Sequence, residues 1–290
     1  MKVTVLMENT PKDASVVAEH GLSLYIETAN HKLLSDFGCT DAFIKNAATL
    51  GIDLTSVDSV FLSHGHYDHS GGILPFTKVN ANAPIYMQGK ALLPYYHKTE
   101  TEERYIGIDV SIADLPQVRL LDGDVVIDNE LTVFGNVTGR KLWPKGNLEL
   151  KKKVGEDFLQ DEFDHEQYLV ISKLCSNRTD TLKSACEEST SIKRVLISGC
   201  AHNGILNILE HYHSLYDSYP DVVISGFHMK KKTEYTEDDI ATIKETAEQL
   251  RQLPTTFYTG HCTGDVPFEI MKNIMGEQLT YAYSGSSFTI

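Results

Sequence analysis

The chain is poor in cysteine. Its five, Cys39, Cys175, Cys186, Cys200 and Cys262, are scattered over 290 residues, odd in number and without a CxxC pair. That argues against a disulfide framework as the source of stability and makes a reducing, cytoplasmic setting the expectation. Long hydrophobic runs are missing as well: nothing approaches the roughly 18 apolar residues of a membrane span. The opening MKVTVLMENTPKDASVV turns polar too early for the apolar core of a signal peptide. Positive charge is scarce, with 26 Lys and Arg against 40 Asp and Glu and a formal net charge of −14. Such a balance argues against nucleic acid or anionic lipid as partners. Repeats, low-complexity tracts and Pro/Gly linkers are also lacking, so a single domain over 1–290 is expected.

What is present is enough apolar content, 41%, to build a core. KVTVLME, GLSLYIETANHKLLSDFG, VDSVFLS and APIYM read as short strands, and TDAFIKNAATLGI reads as a helix closed by the glycine after Leu50. Residues 89–116 break this pattern and read as a partly helical insertion. The polar stretch near 136–165 reads as a long surface loop. The stretch 175–193 shows no clear pattern. The C-terminal half then alternates, with RVLISG, DVVISG and TTFYTG as strands, each followed by a helical segment. The second of those helices opens with TEDD, acidic residues suited to a positive helix terminus. Strands first and α/β alternation later predict a mixed α/β fold of four layers, an αββα sandwich.

Directly behind VDSVFL stands SHGHYDHSGG, in which His64, His66, Asp68 and His69 form H-x-H-x-D-H. Residues two apart on an extended segment point the same way, so His64 and His66 can grip one ion. Asp68 and His69 lie past the turn and can face a second. Imidazole and carboxylate suit zinc, with iron or manganese as alternatives, so one or two divalent ions are expected. Three later strands each end in glycine followed closely by histidine: LISGCAHNG, VISGFHM and FYTGHCTG. They bring His202, His228 and His261 to strand ends, where α/β architectures build their sites.

These motifs resemble the metallo-β-lactamase superfamily, and GCAHNG, GFHM and GHCTG resemble in particular its 7,8-dihydropterin-6-methyl-4-(β-D-ribofuranosyl)aminobenzene-5′-phosphate synthase subfamily. The resemblance covers essentially the whole chain. It implies the αββα sandwich, a mono- or dinuclear metal site, Asp36 of SDFG as support for the ligand loop, and His261 as the last ligand. His202 joins as a ligand candidate. The chain departs from the pattern where a bridging aspartate is usual: Cys200 stands there, as a ligand or a small buried residue.

The expected function is a metal-dependent hydrolase or transferase acting on a small, phosphorylated substrate, such as a pterin or ribosyl-aminobenzene phosphate. Asp68 would bind metal and orient the attacking water, while His228 would hold an oxyanion or donate a proton. Arg140, Lys141 and Lys145, with Lys230 and the lysines that follow it, are the candidates for a substrate phosphate. A di-iron redox protein and a non-catalytic ligand-binding member of the fold are the competing classes. Self-association into a homo-oligomer is left open.

Overall fold

The computed structural model describes residues 1–176 and 190–290, with side chains over 1–173 and 192–290. The chain opens with strands β1 (Lys2–Met7), β2 (Ser23–Glu27) and β3 (Lys32–Ser35), helix α1 (Ala42–Thr49) and strand β4 (Ser59–Phe61). Helices α2 (Tyr67–Ser70) and α3 (Ile73–Val79) follow, then β5 (Ile85–Gln88), β6 (Tyr95–Lys98), β7 (Glu103–Tyr105), β8 (Val118–Leu121), β9 (Val125–Val126) and β10 (Leu131–Phe134). The remainder is β11 (Leu150–Val154), β12 (Asp157–Gln160), β13 (Tyr168–Ser176), β14 (Thr190–Ile197), α4 (Ile205–Tyr216), β15 (Val222–Ile224), α5 (Glu237–Arg251), β16 (Thr256–Thr259), α6 (Asp265–Met275), β17 (Leu279–Tyr281) and β18 (Ser287–Thr289).

Two seven-stranded sheets face each other, one in the order β18-β1-β2-β3-β4-β5-β8 and the other β17-β16-β15-β14-β13-β10-β9. The centre of the second sheet, Val195–Ile197 of β14 and Val222–Ile224 of β15, reads as apolar runs because both of its faces are buried. In β14, Val195 and Ile197 point into the core between the sheets with Val3, Leu24 and Phe61, while Leu196 points outward beneath the helices. Helices α4, α5 and α6 cover that outer face through Ile208, Leu209, Ala247, Leu250 and Met271. Helices α1 and α3 cover the first sheet with Phe43, Ala47, Ile73 and Phe76. Each fully buried Leu, Ile or Phe contributes about 1.5–3 kcal/mol. The result is the four-layer αββα arrangement.

Two boundaries differ from the sequence reading. The stretch near 136–165 is not a plain loop. Strands β11 and β12 lie within it, and they join β6 and β7 in a four-stranded sheet ordered β12-β11-β6-β7. The insertion and the supposed loop are therefore partners. The Lys151-Lys152-Lys153 run concealed β11, but Lys153 lies over the rings of Tyr96 and Phe158, so its aliphatic stem and charge are both used. Of the unpatterned 175–193, only the backbone of residues 175–176 and the stretch from Thr190 fall inside the described residues, where they extend β13 and β14. Helix α5 starts as expected, with a capping box between Thr236 and Asp239. Among the described residues, no helix is long and apolar enough to cross a membrane.

Candidate metal centre

Strands β14, β15 and β16 are parallel neighbours, so their C-terminal ends emerge side by side on one edge. The glycine that closes each strand permits close approach. A Cβ on Gly199 would sit 2.2 Å from Ser63 Oγ, and one on Gly226 would sit 2.4 Å from Cys262 Sγ. Beyond the glycines, Ala201, His228 and His261 all adopt left-handed backbone, with φ of 52°, 50° and 50°. Each such turn costs a non-glycine residue roughly 1–2 kcal/mol, a strain typical of functional sites. Across from these loops, β4 delivers His64, His66, Asp68 and His69. Two clusters of donor atoms result.

The first cluster is His64, His66 and His202, whose donor atoms lie within 4.8 Å of one another. The second joins Asp68, His69 and His261. Asp68 Oδ2 is 3.7 Å from His69 Nε2 and 3.3 Å from His261 Nε2, and the two imidazole nitrogens are 3.2 Å apart. Cys200 Sγ stands 3.1 Å from His69 Nε2 and belongs with His64 and His69 in one further group.

Hydrogen bonds on the far side of each ring decide which nitrogen is offered. Ser63 donates its hydroxyl to Asp36 Oδ2 at 2.7 Å, so its oxygen accepts the Nδ1–H of His64 at 2.9 Å. His69 donates from Nδ1 to the same Asp36 oxygen at 2.7 Å. His202 donates from Nδ1 to Asn147 Oδ1 at 3.0 Å, and His261 from Nδ1 to Asn9 Oδ1 at 2.9 Å. His64, His202 and His261 therefore turn an Nε2 lone pair inward, and His69 does the same once an ion displaces its Nε2 proton, the arrangement of metal-bound imidazoles. His64 and His202 oppose theirs at 3.3 Å, and the buried Nε2 of His66 has no hydrogen-bond partner. Lone pairs facing each other in a buried pocket repel unless a cation stands between them. The residues present thus fit a bound divalent ion, or a pair of them.

Electrostatics agree. Burial, reinforced by neighbouring histidines, holds His64 and His202 well below the ordinary imidazole range and His66 down to about 3, so all three are neutral. Burial opposes ionisation of Asp68, yet His69 and His261 outweigh it and hold the carboxyl well below its usual range. Burial also works against charge on His69, but Asp36 and Asp68 lift it to about 9. The carboxylates thus draw a positive charge to the place where an ion would sit.

Three buried carboxylates hold the donor loops. Asp36, itself in left-handed backbone at φ 60°, accepts the Ser63 amide at 2.7 Å besides Ser63 Oγ and His69. Glu166 accepts the amides of His202 and Asn203 at 2.8 and 2.9 Å. Glu8 accepts the His261 amide at 2.6 Å and the Tyr281 hydroxyl at 2.8 Å. Sequence reasoning found Asp36 but neither glutamate, because neither lies near a histidine motif in the chain. It also missed His20, which is 3.3 Å from Asp68, and the buried pair His165 and Asp161, 3.1 Å apart. His165 accepts the Gly65 amide at 2.9 Å and so braces the turn between His64 and His66. The Asp161–His165 spacing of four residues was the available signal.

A cavity of about 640 Å³ opens over these donors, lined by His66, Asp68, His202 and His261 and by Arg104, Lys145 and Lys230 to Lys232. Lys145 and Lys231 are engaged by Asp238 and Asp239, while no ion pair is found for Lys230 or Lys232 among the described residues. Arg140 and Lys141 are not brought to this lining. Arg140 instead pairs with Glu162 at 2.8 Å and stacks over Trp143, and the Lys141 backbone is held by Asn207. Trp143 packs toward Phe163 rather than into the cavity.

Known proteins share the sequence pattern and the fold. The model of the metallo-β-lactamase superfamily matches residues 17–146. An uncharacterized protein of Methanocaldococcus jannaschii is 26% identical over 232 residues, 78% of this chain and 79% of that one. The same organism's 7,8-dihydropterin-6-methyl-4-(beta-D-ribofuranosyl)-aminobenzene-5'-phosphate synthase is 24% identical over 267 residues, 85% of this chain and 82% of the relative. Among solved structures, Tm1679, described as a metal-dependent hydrolase of the beta-lactamase superfamily, superposes with a TM-score of 0.78 at 26% identity, over 100% of this chain and 99% of that one.

Proposed function

From the premise that this chain carries the metallo-β-lactamase superfamily's domain and fold, we propose that it is a metal-dependent hydrolase of small anionic substrates, phosphate esters first among them. The observation that carries the reading is the convergence of His66, His202, His261 and Asp68 on the floor of a cavity walled by lysines, with His64 and His69 buried directly behind them. His64, His66 and His202 would hold one ion, and Asp68, His69 and His261 a second, with zinc suited to this nitrogen-rich set. Such ions, when bound, supply a Lewis acid and lower the pKa of a bound water toward neutrality. Asp68, ionised in the folded protein, is the carboxylate that would orient such a water and accept its hydrogen bond. Lys230 and Lys232 draw the substrate's anionic group into the cavity, and the net negative charge elsewhere discourages larger polyanions.

The similarity to the dihydropterin synthase supports a second reading, in which the same centre joins two substrates instead of splitting one. One experiment addresses both: metal analysis of the purified protein, with turnover of bis(p-nitrophenyl) phosphate, phosphomonoesters and a dihydropterin pyrophosphate. Hydrolysis that follows metal content and disappears in His66→Ala supports the first reading. Turnover of the pterin alone, with a second substrate required, replaces it with the second. A His66→Ala protein with unchanged turnover sinks both.

A further inference from the structure

On the wall of the same cavity, beside the histidine-rich floor, lies a group with different chemistry. Cys200, His228 and Cys262 bring two sulfurs and a ring nitrogen within 4.8 Å of one another, and all three line the cavity. They come from the three sister loops after β14, β15 and β16. The left-handed residues Ala201, His228 and His261 lie in or beside the trio, so the strained backbone of each loop serves to aim it. The His228 amide donates to Cys262 Sγ at 3.3 Å, and that sulfur lies 3.5 Å from the Cys200 carbonyl, which ties the loops together. The His228 ring packs at a 51° tilt against His202, 4.1 Å between centroids, yet its Nδ1 is buried without a hydrogen-bond partner. A buried ring nitrogen left unmatched is uncommon and calls for an explanation.

Thiolate and imidazole donors select borderline and soft cations such as Zn²⁺, Cd²⁺ or Cu⁺ over Mg²⁺ or Ca²⁺. Three protein donors with the fourth direction open to a cavity match the ligand count of an accessible tetrahedral site. We propose that Cys200, His228 and Cys262 form a separate binding site for one thiophilic metal ion. The site adjoins the histidine centre through Cys200, which is 3.1 Å from His69, but depends on Cys262 and His228, which that centre does not use. It therefore stands or falls independently of the hydrolase reading.

The test is a Cd²⁺ titration of the zinc-loaded full chain, read by the thiolate-to-cadmium ultraviolet band and by ¹¹³Cd NMR, whose shift counts sulfur ligands. The wild type is expected to take up one Cd²⁺ with two thiolates. Cys262→Ser should move the signal to one thiolate and cut the band by about half. His228→Ala should weaken binding by about tenfold or more. Replacing Cys39, Cys175 and Cys186 together with serine should leave the signal in place. A wild-type signal with one thiolate or none overturns the site, and so does a two-thiolate signal that survives Cys262→Ser. The wild-type NMR shift decides the question even where a variant fails to fold.

Discussion

Ser63 to Gly72 presents four donor residues within a single tight turn, whereas His202, His228 and His261 arrive one at a time from the ends of three parallel strands. The compact side is organised mainly by nearby chain: Asp36 anchors Ser63 and His69, and one distant residue, His165, braces Gly65. The dispersed side is organised by the sheet: β14, β15 and β16 must pair in register, and the buried Glu166 and Glu8 must each capture one loop. A donor set in one turn survives small movements of the core. One spread over three strands does not.

That contrast can be tested from the largest effect downward. His66→Ala should lose one ion per chain by elemental analysis and reduce hydrolysis to background, since the ion held with His64 and His202 loses one of its three imidazole donors. Asp36→Asn should follow. It keeps the size of the side chain, but its one acceptor oxygen cannot serve the Ser63 amide as well as Ser63 Oγ and His69, so metal affinity should fall by about 10–100-fold and stability by about 1–3 kcal/mol in a denaturant titration.

On the dispersed side, Glu166→Gln and Glu8→Gln should each cost about tenfold in metal affinity, but at different positions. The first should loosen the ion held with His202, the second the ion held with His261. Equal loss at both positions in both variants would show the strand-end loops to form one cooperative unit, against the picture of loops held one by one.

Acid should destabilise the metal-free fold. The folded pKa of His66, about 3, lies below the ordinary 6.5, so below pH 6.5 the unfolded chain binds more protons than the native one. Its contribution is present above that pH and is lost as pH falls toward 3. His69, lifted to about 9, acts oppositely and favours the fold below 6.5, losing its contribution as pH rises through 9. Denaturation midpoints of wild type and His66→Gln should therefore converge as pH falls from 6.5. The smallest effect is expected for Arg140→Ala: its pair with Glu162 is partly exposed and outside the cavity, so turnover should stay unchanged and stability shift by less than about 1 kcal/mol.

The same division explains what could be read before the fold was known. Period-two spacing made His64 and His66 legible as a pair, and repeated Gly-to-His strand ends marked His202, His228 and His261 as a set. Glu8, Glu166, Asn9, Asn147 and His20 left no such trace, because each meets its partner only after distant segments fold together; Glu8 and His261 are 253 positions apart. Strand β11 was hidden for a similar reason, since a lysine run becomes a strand only when β6 lies beside it.

By itself, then, the sequence determined the layer pattern and the donor types, both of which follow from short-range periodicity and side-chain chemistry. Only the tertiary structure decided which nitrogen each histidine offers, which lysines reach the cavity, and that Cys200 meets Cys262. Those depend on hydrogen bonds and contacts between segments that the chain order keeps apart.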